Sequence, residues 1–245
     1  MELLRVEGLA KTFGARRAVQ GVSWSIAAGE TVALLGANGA GKSTTMRMIA
    51  GVLDPDAGDV WIDGRSVVRH RIAAQSRLGY LAEGAPLYAD LTVRGFVSFL
   101  GRARGLSRTD LEARLEETAP LAGIETVLDR PIETLSKGYR RRTALAAALI
   151  HDPPVLVLDE PTDGLDPNQK AAMRGWLARL SEKRAILIST HQLEEVSAMC
   201  SRVLVMADGR IVADDTPGDL AASAGGDLGA AFRRLSSQQT AETAC

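Results

Sequence analysis

The sequence predicts an α/β fold: a core with a parallel sheet, an N-terminal antiparallel β subdomain and an inserted helical subdomain. Three observations predict it. From residue 155 to 206, short continuous apolar runs alternate with segments of helical period, the pattern of strands joined by crossover helices. Between Thr92 and about Ile150 the period changes to purely helical, with no strand between. Near the N-terminus, two alternating apolar runs flank a short turn, as antiparallel partners do.

In chain order, Leu3 to Leu9 and Val19 to Ile26 read as strands joined through a turn at Phe13-Gly14-Ala15. Thr31 to Leu35 (TVALL) is apolar without alternation and reads as a buried strand, and Thr45 to Ala50 continues as a helix. Asp54-Pro55-Asp56-Ala57-Gly58 is a turn before a short strand, Asp59 to Ile62, and Asp63-Gly64 is another turn. Leu78 to Leu81 reads as a further strand. Val93, Phe96, Val97 and Leu100 then recur at helical spacing, as do Leu111, Leu115 and Thr118, until Asp152-Pro153-Pro154 ends the helical stretch. Val155–Leu158, Ala185–Ser189 and Val203–Met206 read as strands, with helices over Pro167–Leu180 and Gln192–Met199 between them. The expected organisation is one unit over 1–222, with a core of 1–84 and 151–222 and a helical insertion at about 85–150. The tail 223–245, rich in Ala, Gly and Ser, is expected to be loosely ordered.

The chain has 245 residues, enough for a sizeable core. Its net charge of −1 gives no bulk electrostatic attraction to nucleic acid or anionic membrane. Two cysteines, Cys200 and Cys245, form neither a disulfide framework nor a metal spacing, which fits a reducing cytosol. The N-terminus lacks the basic and apolar regions of a signal peptide, and no apolar run approaches the ~18 residues of a membrane span. The expectation is a soluble protein whose membrane role, if it has one, comes through a partner.

The most informative stretch is Gly36-Ala37-Asn38-Gly39-Ala40-Gly41-Lys42-Ser43-Thr44. It satisfies G-x-x-x-x-G-K-[ST] and lies between an apolar strand and a helix, the context this motif requires. Glycines let the backbone turn its N–H groups onto phosphate oxygens. Lys42 supplies a compact positive charge to the β- and γ-phosphates, Ser43 a hydroxyl for Mg²⁺, and the helix start a favourable dipole. The reading is a P-loop NTPase core that binds ATP with Mg²⁺. A second feature is Val155-Leu156-Val157-Leu158-Asp159-Glu160-Pro161, an apolar strand ending in two acids at the edge where ligands bind in open α/β sheets. Asp159 suits Mg²⁺ and Glu160 suits orienting or deprotonating an attacking water. Alone, such an end is better explained by a solvated acidic turn; downstream of a phosphate loop the chemical reading prevails. The third feature is Leu135-Ser136-Lys137-Gly138-Tyr139-Arg140-Arg141-Arg142. Ser136 is a good N-cap, and a hydroxyl with free N–H groups at a helix start is also an anion site. The three arginines read as a solvated or ion-paired face rather than a nucleic-acid contact.

Four segments in order, GANGAGKST, Tyr80-Leu81-Ala82-Glu83, LSKGYRRR and VLVLDEPTDGLDP followed by Ser189-Thr190-His191, resemble the ATP-binding subunit of an ABC transporter. The resemblance covers about residues 2–220, and GYLAEGAPLYADLTVRGFVSFLGRARGL is similar to ATPases of exporters whose membrane subunit is a separate chain, including gliding-motility and drug-export types. It implies that Phe13 stacks on adenine, that Ser136 and Gly138 with Lys137 between them face the γ-phosphate of an ATP held by a second copy, that His191 contacts γ-phosphate, and that Asp166 belongs to a loop communicating across the dimer. It further implies a nucleotide-sandwich homodimer, a transmembrane permease docked near Glu83 to Leu91, ATP hydrolysis powering export, and a cytoplasmic location on the inner membrane face. Two departures stand out. Glu83 replaces a usual Gln, which keeps a Mg²⁺ ligand but adds negative charge beside a triphosphate. Lys137 and Tyr139 replace a common Gly and Gln. His70 and His151 match nothing in the family and are expected at the surface. A soluble, non-transport ABC ATPase is the alternative reading, against which stands the single cassette without coiled coil. The cargo is not encoded here.

Overall fold

The computed structural model of the chain describes residues 1–163 and 165–242, with side chains through residue 236; Gly164 and residues 243–245, Cys245 among them, lie outside it. Strands β1 (Glu2–Phe13) and β2 (Arg16–Ala27) form an antiparallel hairpin. β3 (Thr31–Leu35) leads into α1 (Lys42–Ile49). β4 (Ala57–Ile62), β5 (Arg65–Ser66), α2 (Arg71–Gln75) and β6 (Leu78–Leu81) follow. Then come α3 (Val93–Ala103), α4 (Arg108–Ala122) and α5 (Lys137–Leu149). The rest alternates: β7 (Val155–Asp159), α6 (Pro167–Ser181), β8 (Ala185–Thr190), α7 (Leu193–Met199), β9 (Arg202–Ala207), β10 (Arg210–Asp215), α8 (Pro217–Ala222) and α9 (Leu228–Glu242).

The strands make two sheets. One is antiparallel, in the order β2-β1-β4-β5; the other runs β10-β9-β3-β8-β7-β6, parallel except for its β10 edge. β3, β7 and β8 are buried at every position, which is why their sequences do not alternate. β8 lies between β3 and β7, so the segments that follow these three strands emerge side by side on one edge.

The helices are stopped and started by their own sequences. Thr92, Ser107, Ser136 and Asp166 cap α3, α4, α5 and α6, each side chain accepting from a backbone N–H three residues on. Helices α3 to α5 carry a core of their own, in which Phe96, Val97, Leu111, Leu115, Ile132 and Ile150 meet. The single helical stretch expected from Thr92 to Ile150 is thus three helices, broken where Gly105 and Gly123 take positive φ.

Two regions differ from expectation. The segment after Ser223 is not loose where described: α9 lays Leu228, Ala231, Phe232 and Leu235, spaced i, i+3, i+4, i+7, toward the sheet residues Leu35, Val203 and Val205. Its small residues let the helix approach closely, and the link before it turns at Gly225 and Gly226 with φ of 70° and 91°. Strand β10 was absent from the sequence reading. It forms a hairpin with β9 through Asp208-Gly209, both at positive φ, a turn whose twist suits an antiparallel pair.

Candidate nucleotide site

The phosphate loop crosses from buried β3 to α1. Gly41 has φ 110°, and a Cβ there would stand 2.4 Å from the Ala18 carbonyl oxygen and 2.8 Å from Met206 Cε. Gly36 meets the same wall, its Cβ falling 2.5 Å from Met206 O. Both glycines are therefore required by close backbone approach. Ala37, Asn38 and Gly39 are exposed, leaving the rim of the loop open to a ligand. Lys42 is buried, and its Nζ donates to Gly36 O at 2.7 Å and Ala37 O at 3.2 Å. Burial lowers its pKa, opposed by the charges of Glu160, Asp159 and Glu83.

Phe13, at the end of β1 and half exposed, joins Arg16, Asn38, Gly39, Ser43 and Thr44 around a cavity of ≈430 Å³. Arg16 is a residue the sequence reading missed. Its Nη2 donates to Gly39 O at 2.7 Å and props the loop. The one available signal was a basic residue three positions after Phe13 in the same turn.

Asp159 is buried at the end of β7, and its Oδ1 accepts a hydrogen bond from Ser189 Oγ on β8. Glu160 follows with φ 48°, a left-handed backbone that costs of order 1–3 kcal/mol outside glycine and persists only where neighbours enforce it. The Glu160 amide is held by Ser189 Oγ at 3.0 Å. In its side chain, Oε1 lies 3.0 Å from His191 Nδ1, while Oε2 is buried without a partner among the described residues. Among the described residues no three His, Cys, Asp or Glu side chains cluster as a metal cage. The donors present, the Ser43 hydroxyl and the Asp159 carboxylate beside a phosphate cradle, fit Mg²⁺. That ion keeps waters and substrate phosphates in its shell and takes only one or two protein ligands.

The sequence-predicted residues fall into two groups. Phe13, Gly36 to Thr44, Asp159, Glu160 and His191 gather at the sheet edge. Ser136, Lys137 and Gly138, at the start of α5, do not line the phosphate-loop cavity. Ser136 Oγ accepts from the Tyr139 amide at 3.4 Å, and Gly138 packs so closely on Gln169 that a Cβ would sit 2.7 Å from Oε1. Lys137 Nζ bonds Asp163 at 3.1 Å, and that bond holds the Asp163 carboxyl below its ordinary pKa. Tyr139 carries the Arg142 guanidinium 5.0 Å over its ring. Glu83 is exposed and shares a second groove, of ≈500 Å³, with Leu87, Lys137, Arg141 and Glu160. The basic run is engaged internally: Arg140 donates to Ile132 O and Glu133 O, and Arg142 to Gly123 O. Asp166 caps α6 through the Gln169 amide at 2.9 Å. His70 is exposed. His151 is not a surface residue: it is half-buried, Nε2 stands 3.1 Å from Leu78 O, Nδ1 is buried without a partner among the described residues, and burial with nearby Arg104 pushes its pKa down to about 4.

Residues 19–163 match the model of the ABC transporter family. The chain belongs to the ABC transporter ATP-binding family. This ABC ATPase is 38% identical over 219 residues to the Nod factor export ATP-binding protein I of Ralstonia nicotianae, covering 89% of this chain and 68% of that protein. It is also 38% identical over 198 residues to the ABC transporter ATP-binding protein NatA of Bacillus subtilis, covering 80% of each. A solved ATP-binding subunit of an ABC transporter superposes with a TM-score of 0.87 at 30% identity, over 95% of this chain and 99% of that one. The family match takes in the phosphate loop, α5 and Asp159-Glu160; Phe13, His191 and α9 lie outside it.

Proposed function

We propose that this ABC ATPase hydrolyses ATP between two copies of itself and drives export through a separate transmembrane permease. The reading rests on one observation above all: His191 Nδ1 stands 3.0 Å from Glu160 Oε1 at the end of β7, and the charges of Glu160 and Asp159 act on Lys42 in a loop built for phosphate. A carboxylate held by an imidazole at the strand end, beside a phosphate loop, is placed to take a proton from water.

In this account Phe13 stacks on adenine, and the amides from Gly36 to Thr44 together with Lys42 hold the phosphates. On binding, Lys42 trades its carbonyl partners for phosphate oxygens. Ser43 and Asp159, with Glu83 at the edge, would hold Mg²⁺, which would offset charge on the β- and γ-phosphates. Glu160 orients the attacking water and accepts its proton as the oxygen bonds to the γ-phosphorus and the bond to ADP breaks. His191 steadies Glu160 and meets the γ-phosphate. Because Ser136, Lys137 and Gly138 stand away from the chain's own phosphate loop, they serve the ATP of a second copy, and Asp166 sits in the loop between the two sites. γ-Phosphate contacts would then bias the dimer interface between closed and open.

No helix among the described residues is long and apolar enough to cross a membrane. The relatives named as ATP-binding proteins of transporters support a permease on a separate chain, with this one on the inner face of the cytoplasmic membrane through it. Export is supported by similarity to a protein named for export. Phosphate release by the purified full chain, with ATP and Mg²⁺ and with and without its permease in vesicles, tests the proposal. Turnover stimulated by the permease supports it, and absence of turnover in both conditions refutes it.

A further inference from the structure

In the sequence Arg141 reads as one of three arginines on a solvated or ion-paired face. It is instead partly buried under the end of β7, and its three nitrogens reach four main-chain carbonyls. Nη1 donates to Ala82 O at 3.0 Å; Nη2 donates to Asp159 O and, at 2.7 Å, to Glu160 O; Nε lies 3.5 Å from Pro161 O. Three of these carbonyls are consecutive, at the point where β7 leaves its ladder and Glu160 adopts φ 48°. The fourth belongs to the residue before Glu83.

Converging carbonyls repel one another unless a cation lies among them, and a planar fork of five donors meets that need where an ammonium cannot. Desolvation lowers the Arg141 pKa, against the charges of Asp159, Asp163, Glu160 and Glu83. The group stays charged in this setting because a guanidinium does not deprotonate in proteins. Glu160 is thus fixed from both sides: Ser189 Oγ holds its amide at 3.0 Å and Arg141 its carbonyl. Arg141 rides on α5, five residues after Ser136, and lines the ≈500 Å³ groove with Glu83 and Glu160.

The geometry points to Arg141 as a positioning residue that sets the backbone of Glu160 and ties it to α5 and to the Glu83 segment, so that movement of the helical part shifts the carboxylate. The inference rests on Glu160 being the group that takes the proton of water. Arg141 touches no substrate atom in this account; it acts through Glu160.

A double-variant cycle tests it. Phosphate release is measured for the full chain and for Arg141→Gln, Arg141→Lys, Glu160→Gln and the Arg141→Gln/Glu160→Gln pair, with affinity for a fluorescent ATP analogue and Tm alongside. Arg141→Gln is expected to lower kcat about ten-fold or more while ATP affinity stays within about two-fold. Arg141→Lys should restore little, since a point donor cannot span the carbonyls. In the Glu160→Gln background the Arg141 change should cost nothing more. Arg142→Gln, whose parent bonds Gly123 O and lies over the Tyr139 ring instead of bonding the end of β7, should match wild type. Should Arg141→Gln not fold, the Arg141→Lys protein carries the same cycle. An equal loss with and without Glu160, a parallel fall in ATP affinity, or an unchanged kcat overturns the inference. A Glu160→Gln protein with native turnover instead removes the assignment of Glu160, and this inference with it.

Discussion

His191 Nδ1 stands 3.0 Å from Glu160 Oε1, joining the ends of two adjacent parallel strands, β8 and β7, at a single carboxylate. Neither strand alone would place these groups together. Their register sets Asp159 opposite Ser189, so Glu160, one residue on, and His191, two residues on, leave the two strands side by side. The sheet therefore sets the chemistry, and the side chains only complete it.

Replacing Glu160 by Gln keeps its shape and removes its basicity. kcat should fall by about 10²–10⁴, the usual worth of a general base, while ATP binding persists. Parallel measurement of phosphate release and equilibrium ATP binding checks this. Equal loss of both would mean that Glu160 shapes the pocket rather than the chemical step.

Gly41→Ala should damage the fold as well as the site. The added methyl meets backbone at 2.4 Å, and φ 110° is strained for any L side chain. Overpacking and strain together suggest about 2–4 kcal/mol, or roughly 5–15 °C in Tm for a chain of this size. Thermal melting with and without ATP reads both effects, and a variant with native Tm would show that the loop can shift to make room.

His151 makes stability depend on pH. Its folded pKa, about 4, lies below the ordinary value of 6.5, so between these values the unfolded chain binds the extra proton. The contribution is whole above pH 6.5 and is lost as pH falls toward 4, with an upper bound of about 3 kcal/mol. Arg104 and Arg114 press in the same direction, and Asp152 against it. Urea melts from pH 7.5 to 4.5 should show His151→Gln with a shallower decline than wild type. Identical slopes would remove His151 as the cause.

Leu228→Ala tests whether α9 belongs to the fold. Leu228 is buried against the sheet with Ala231, so truncation should cost about 2–3 kcal/mol. Chemical denaturation reads the change, and a cost below ~0.5 kcal/mol would mean that α9 is not docked in solution.

Much of the site was legible because its chemistry is local in sequence. The phosphate loop lies within nine consecutive residues, and Asp159-Glu160 ends an unmistakable buried strand. What could not be read depends on contacts across the chain. Arg141 looks like its two neighbours until β7 is placed over it. Lys137 gave no sign that Asp163, 26 residues on, would hold it. His151 stands just before the helix-ending Asp152-Pro153-Pro154, and only its contact with Leu78 on β6 reveals its burial. The tail misled through composition: alanine and glycine suggested disorder, while the helical spacing of Leu228, Phe232 and Leu235 was there to be seen.

The central claim is that half of each ATP site comes from a second copy. The most direct measurement is the mass in solution, by light scattering, of the Glu160→Gln chain with and without ATP, where hydrolysis cannot reopen the complex. The 26.0 kDa chain should double in mass on adding ATP, and Ser136→Glu in the same background should prevent it. A mass that stays at one chain under saturating ATP, or doubling that ignores Ser136, would contradict the account.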